Sequence, residues 1–179
     1  MQSAGRHGVA REQAHDCKMN APRCRKACPG RCYRIREVDG GDDEVADALA
    51  ELHRLTFFDG APVPCFDDGH WWLAFHDAMP VAFAGIIPST HMMRAAYLTR
   101  VGVLGGHVGQ GLQRRLMRAA ERRSHRNGFN WMISDTTDNI RSANNFIHSG
   151  YQLYRPDVPW AFAQTLYWRK FIGGANIRW

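Results

Sequence analysis

Tyr33-Arg-Ile-Arg-Glu-Val alternates apolar and polar side chains with a period of two, the signature of a strand with one buried face. The Asp-Gly-Gly-Asp-Asp stretch at 39–43 breaks that pattern and supplies an N-cap and an acidic first turn. Val45, Ala48, Leu49, Leu52 and Leu55 then fall on one face of a helix running to about residue 56. Gly60, Pro62 and Pro64 mark a loop. Two apolar runs, 71–75 and 81–87, are separated by His-Asp-Ala-Met-Pro and predict a hairpin. Within them, Trp71, Trp72 and Phe75 read as core. A third run spans 95–104. Beyond it, Leu112, Leu116, Ala119 and Ala120 share a helix face, with Arg114, Arg115, Arg118 and Arg122 pointing elsewhere and Asn127-Gly128 as the stop. The remaining pattern predicts a strand at 131–134, a short helix at 139–149 closed by Gly150, a strand at 151–154, a loop at Pro156 and Pro159, and a last strand at 165–172. A hairpin followed by alternating strands and helices implies one α/β domain, a mixed sheet in three layers.

Composition changes this picture little, and charge changes it more. With 179 residues the chain can build one sizeable core. It has no apolar run of eighteen residues to span a membrane, and its beginning lacks a secretory signal, so a cytoplasmic location is expected. The net charge of +6 is concentrated at one end: residues 1–32 hold seven Lys or Arg against Glu12 and Asp16. That stretch is expected to be a disordered basic extension, with nucleic-acid contact as an alternative role. Its Cys17, Cys24, Cys28 and Cys32 lack the paired C-x2-C arms of zinc sites, so reduced thiols and no metal are expected. Cys65 reads as a buried or loop thiol. Within the body, residues 37–77 carry eleven acids and one base, whereas 100–126 carry seven bases and one acid. The basic helix suits a polyanion, and the acidic region suits a cationic amine.

A strand, a glycine-rich turn and a helix together bind phosphate, because unpaired N–H groups and the helix dipole both face the turn. Gly-Gly-His-Val-Gly-Gln-Gly at 105–111 has that setting. Gln113 and Arg114 follow Gly111-Leu112, which excludes the Walker pattern, and the order G-x2-G-x-G from Gly106 excludes the Rossmann fingerprint. The segment from Val101 to Leu116 resembles the acetyl-CoA motif of the GNAT acetyltransferases, roughly V-x-V-x-x-x-x-[RQ]-x-x-G-x-[GA], with Gly109 and Gly111 as its final pair. Gly106 stands where the family carries Arg or Gln. Downstream, Asn139, Ser142, Gly150 and Tyr151 resemble the family's N-x2-[AS]-x7-G-[FY] helix.

The resemblance covers about residues 33–172, with 173–179 as a C-terminal tail. It implies a mixed, mostly antiparallel twisted sheet flanked by helices, with splayed central strands. It also implies transfer of an acetyl group from acetyl-CoA to a primary amine, with a non-catalytic acyl-CoA-binding or regulatory module as the alternative. By the same resemblance, the backbones of Val101 and Val103 would pair with the pantetheine arm, and N–H groups from His107, Val108, Gly109, Gln110, Gly111 and Leu112 would hold the pyrophosphate. Asn139 and Ser142 would sit near the pantetheine, and Gly102 would mark a bulge. Arg114 or Arg115 would reach the 3′-phosphate. The helix position at which many members carry a proton-donating Tyr holds Phe146, which has no proton to give. Tyr154, Tyr97 and Ser142 are the remaining candidate acids, and Asp67, Asp68, His70 and Asp135 the candidate bases. The aromatic stretch Tyr167-Trp168, with Trp179, suggests a homodimer face.

Overall fold

Local sequence sets the first elements as expected. In the computed structural model, which describes residues 32–57 and 60–174, strand β1 spans Tyr33–Val38 and helix α1 spans Asp43–Thr56. The expectations for Cys17, Cys24, Cys28, the rest of residues 1–31 and Trp179 fall outside the described residues, while Cys32 is an exposed free thiol. Asp42 caps α1 by accepting the Val45 N–H at 3.1 Å, and Asp43 and Glu44 occupy its first turn. One expected core residue is displaced. Leu55 is 47% exposed, while His53 is buried and stacks on Phe57 with ring centroids 4.7 Å apart. His53 is held there because its Nε2 accepts from the Arg100 guanidinium at 3.3 Å.

Strands β2 (His70–His76), β3 (Met79–Pro88) and β4 (Ala95–Val103) extend β1 as an antiparallel meander. Helix α2 (Leu112–Arg126) leads to β5 (Trp131–Thr136), helix α3 (Ile140–His148), the short β6 (Gln152–Leu153) and β7 (Leu166–Phe171). The seven strands form one sheet in the order β1-β2-β3-β4-β5-β7-β6. All neighbours are antiparallel except β4 and β5.

Two apolar clusters clamp the sheet. Leu49 and Leu52 of α1 pack with Trp71, Leu73 and Phe83 on one face. On the other face, Leu112, Leu116, Met117 and Ala120 of α2 and Phe146 of α3 pack with Ala96, Leu98, Met132 and Trp168. Trp71 and Trp72 are core residues, as expected. Tyr167 and Trp168 are core residues too, at 8% and 1% exposure, so they offer no dimer face. The reason is register: Trp168 lies opposite Ser134 in the sheet and stacks on Phe146 at 5.5 Å. No helix among the described residues is long and apolar enough to cross a membrane.

Candidate functional site

The parallel pairing of β4 and β5 lasts only from Ala95↔Trp131 to Tyr97↔Ile133. Past Tyr97 the strands diverge, and the backbone of β4 faces open space on that side. Ladder geometry shows which groups point there. Leu104 N–H donates to the Val81 carbonyl at 2.9 Å, which makes the Val103↔Ala82 pair a non-hydrogen-bonded one. By alternation Val101↔Ala84 is another, so the N–H and C=O of Val101 and Val103 turn away from β3 into the gap.

A bulge is present, but not at Gly102. Gly85 pairs with Arg100 and Ile86 with Leu98, which leaves Thr99 as the extra residue. The bulge shifts the facing of β4: Ala96 and Leu98 point to the α2 side before it, and Val101 and Val103 after it. Gly102 is required for space instead. A Cβ there would lie 2.3 Å from Thr56 Oγ1 and 2.5 Å from Phe83 Cε1.

Residues 105–107 form a 3-10 turn, and Gly111, in the left-handed conformation at φ 69°, is the N-cap of α2 without any side-chain cap. The first backbone bond of the helix runs from Arg115 N–H to Gly111 O at 3.1 Å. The N–H groups of Leu112, Gln113 and Arg114 therefore have no acceptor within the helix and lie at the positive end of its dipole. A Cβ on Gly109 or Gly111 would meet nothing within 4 Å, so the space in front of the turn is clear.

Here a cleft of about 280 Å³ collects the sequence candidates. Val101, Val103, His107, Val108, Gly109, Gly111 and Leu112 line one side, with Asn139 and Ser142 across from them. Gln110 is absent from the lining, and Arg115 is diverted because its guanidinium donates to the Tyr33 carbonyl at 2.8 Å. Arg114 does reach the cleft. Asn139 Oδ1 is spent as the α3 N-cap, accepting from Ser142 N–H at 2.9 Å.

Four cleft residues were not sequence candidates, Thr56 at the end of α1 among them. Gln113 donates to Ser142 Oγ at 2.9 Å and accepts from Asn145 Nδ2 at 2.7 Å, bridging α2 to α3. Arg141 adds a second cation. Only the helical periodicity of 139–149 could have hinted that Asn145 faces inward one turn after Ser142 and Arg141. Phe146 is not at the cleft surface at all: it is 1% exposed in the stack against Trp168.

The other catalytic candidates separate. Tyr97 and Asp135 meet at the apex of the divergence, where the Tyr97 hydroxyl donates to Asp135 Oδ1 at 2.5 Å. Trp160 Nε1 donates to the same oxygen at 3.0 Å. Burial, reinforced by the adjacent carboxylate, raises the Tyr97 pKa well above the ordinary phenol value. Tyr154 lies in a second pocket, and burial pushes its hydroxyl up to about 12. Asp67 is on an exposed turn, and the Asp68 carbonyl accepts from Trp71 Nε1. His70 is excluded by distance: it contacts Asn127 Nδ2 at 2.8 Å, at the far end of α2, roughly 20 Å of helix from the cleft. Among the described residues, no group of three or more His, Cys, Asp or Glu is placed to hold a metal ion.

Comparison with known proteins bears on this geometry. The sequence model of the acetyltransferase (GNAT) family matches residues 35–151. No curated protein matches the sequence. Similar solved structures include the ribosomal-protein-S18-alanine N-acetyltransferase of Escherichia coli, at TM-score 0.62 and 14% identity, covering 83% of this chain and 100% of that one. The PaiA N-acetyltransferase of Thermoplasma acidophilum, solved with coenzyme A, matches at TM-score 0.62 and 14% identity over 78% of this chain and 99% of its own. An acetyltransferase of Bacillus subtilis in complex with CoA matches at 0.58 and 12%, again over 78% and 99%. At these identities the likeness is one of fold.

Proposed function

The chain belongs to the GNAT family of acetyltransferases, and on that premise we propose that it moves an acetyl group from acetyl-CoA to a primary amine by direct attack on the thioester. The observation that carries this reading is the continuity between the anion-binding turn and the open edge of β4. A ligand with a pyrophosphate at one end and an amide-bearing arm at the other finds N–H donors for both along one cleft. The N–H groups from Gly109 to Arg114 take the charge, those of His107 and Val108 being spent on the Leu104 and Gly105 carbonyls at 2.8 and 3.4 Å, and Val101 and Val103 offer strand-like pairing to the arm. The open space before Gly109 and Gly111 fits such a group, and Arg114 and Arg141 supply countercharge.

The reacting end of the arm then falls near the Thr99 bulge, beside the Tyr97–Asp135 pair. Asp135 is the carboxylate placed to accept a proton from an incoming ammonium, and Trp160 and Tyr97 fix its Oδ1. The free amine attacks the thioester carbonyl carbon, a C–N bond forms, the C–S bond breaks to release a thiolate, and the second proton of the nitrogen passes to solvent as the amide forms. Backbone N–H groups at the gap stabilise the oxyanion that develops. The buried Phe146 offers no proton, and a CoA thiolate can leave without one.

Phe146 also supports a second reading, an acyl-CoA-binding module without catalysis. Purified protein with acetyl-CoA and a broad amine panel separates the two. Thiol release supports transfer, while binding without release supports the module. Loss of acetyl-CoA binding in Gly109→Trp and Gly111→Trp, with unfolding unchanged, is expected under both, and binding that survives both substitutions rejects the cleft assignment.

A further inference from the structure

The second pocket has a volume of about 690 Å³, within the usual range of small-molecule sites, roughly 300–1,000 Å³. It lies between the β3–β4 connection, with His91, and the β6–β7 connection, with Tyr154, Arg155, Asp157 and Trp160. Its floor is Arg169 of β7. The Arg169 guanidinium sits 5.1 Å from the Tyr154 ring centroid and 5.5 Å from that of Trp131, so its position is fixed by aromatic faces. Its Nε–H is nevertheless buried with no hydrogen-bond partner among the described residues, and so is the Tyr154 hydroxyl. Both residues line the pocket, and two buried polar groups left without partners are costly, which marks this wall as one that a polar ligand would relieve.

The pocket adjoins the apex of the divergence through one shared wall. Trp160 lines it, stacks on His91 at 4.3 Å, and holds Asp135 by its indole N–H. Arg169 pairs with Ile133 in the sheet, and Asp135 lies two residues further along β5 on the same face, about 7 Å of strand away. A cationic guanidinium thus lines the pocket, while an anionic carboxylate stands behind its Trp160 wall on the same face of the sheet, the two charges a small zwitterion would need. Arg155 and Arg169 against Asp157 leave a local balance that suits one negative charge rather than two.

From this the geometry points to an acceptor that carries a carboxylate as well as its amine, such as a free amino acid. Its carboxylate would be held by Arg169 and Tyr154 and its amine presented towards Asp135. The inference rests on the acetyl-transfer reading above and narrows its acceptor.

The test compares amino acids with their α-amides, and glycine with O-phosphoethanolamine, by thiol release from acetyl-CoA with the full-length chain. The acids are expected to exceed their amides in kcat/KM by ten- to a hundredfold, the effect of losing one charge-assisted partner. Glycine is expected to exceed the phosphorylated amine. Arg169→Gln should raise KM for the acids about tenfold while leaving the amides and the KM for acetyl-CoA unchanged. Tyr154→Phe, which keeps the ring that packs on Arg169, should show the same pattern more weakly. Amides as good as acids, or an Arg169→Gln loss shared equally by both, would overturn the assignment. If no amine releases thiol, the transfer reading fails, and calorimetric binding of the same acid and amide pairs to wild type and to both variants decides the pocket separately.

Discussion

Asp135 and Gly111 show how differently single residues hold this site. Asp135 accepts two donors at one oxygen, from Tyr97 and Trp160, so an isosteric amide can keep both bonds but cannot take a proton. Asp135→Asn is therefore expected to lower kcat by about a hundredfold or more, with the acetyl-CoA dissociation constant unchanged by calorimetry. Gly111 is held at φ 69° with clear space around its missing Cβ. Gly111→Ala meets no clash in the protein and should cost only the left-handed penalty, about 1–2 kcal/mol in urea denaturation. Its larger effect falls on acetyl-CoA, because the new methyl enters the space before the turn.

At the scale of elements, α2 and α3 meet across the cleft through Gln113, whose amide both donates to Ser142 and accepts from Asn145. Gln113→Ala removes both bonds at once. It is expected to destabilise the protein by roughly 1–3 kcal/mol and to weaken acetyl-CoA binding, read by denaturation and calorimetry. Phe146→Ala should cost more, about 3–5 kcal/mol in the same denaturation, because it empties a ring-sized space against Trp168. The elements themselves were legible in the sequence, since alternation and helical periodicity follow directly from which faces are buried. The glycine turn and the Asn139 helix could be read for the same reason: their chemistry is local. What escaped was the product of tertiary register. Nothing in Val-Gly-Val says that Thr99, not Gly102, is the bulged residue, because that depends on how β3 lies alongside. Likewise, Arg115 and Arg114 are adjacent in sequence, and only the nearness of the Tyr33 carbonyl draws one of them from the cleft.

Across the whole molecule, His70 ties β1, β2 and α2 together at the end away from the cleft. It contacts Glu37 at 3.2 Å, Arg123 at 3.5 Å and Asn127 at 2.8 Å. Burial, with the Arg123 charge next in weight, lowers its pKa below the ordinary 6.5. The unfolded chain then binds more protons than the native one as pH falls below about 6.5, so stability held above that value is lost through the folded pKa. The urea midpoint is expected to drop between pH 7 and 5, and to drop less in His70→Gln. The acidic stretch 37–77 and the basic α2 are drawn together partly by this cluster, through the Arg123–Glu37 pair at 3.4 Å, so their segregation in sequence serves packing.

The short β4–β5 junction has a thermodynamic side as well. Among the described residues only three ladder pairs, with the Asn130 and Trp131 N–H groups donating to the Arg94 carbonyl just before them, join β1–β4 to β5–β7–β6, so a weak line runs through the middle of the sheet. A ligand lying along Val101 and Val103 would act as the missing rungs of that ladder. At a hundredfold excess over its dissociation constant it would add about 2.7 kcal/mol to the folded state. Amide exchange should show that gain as slowed opening on both banks of the junction together, with the β1–β2 edge left as it was.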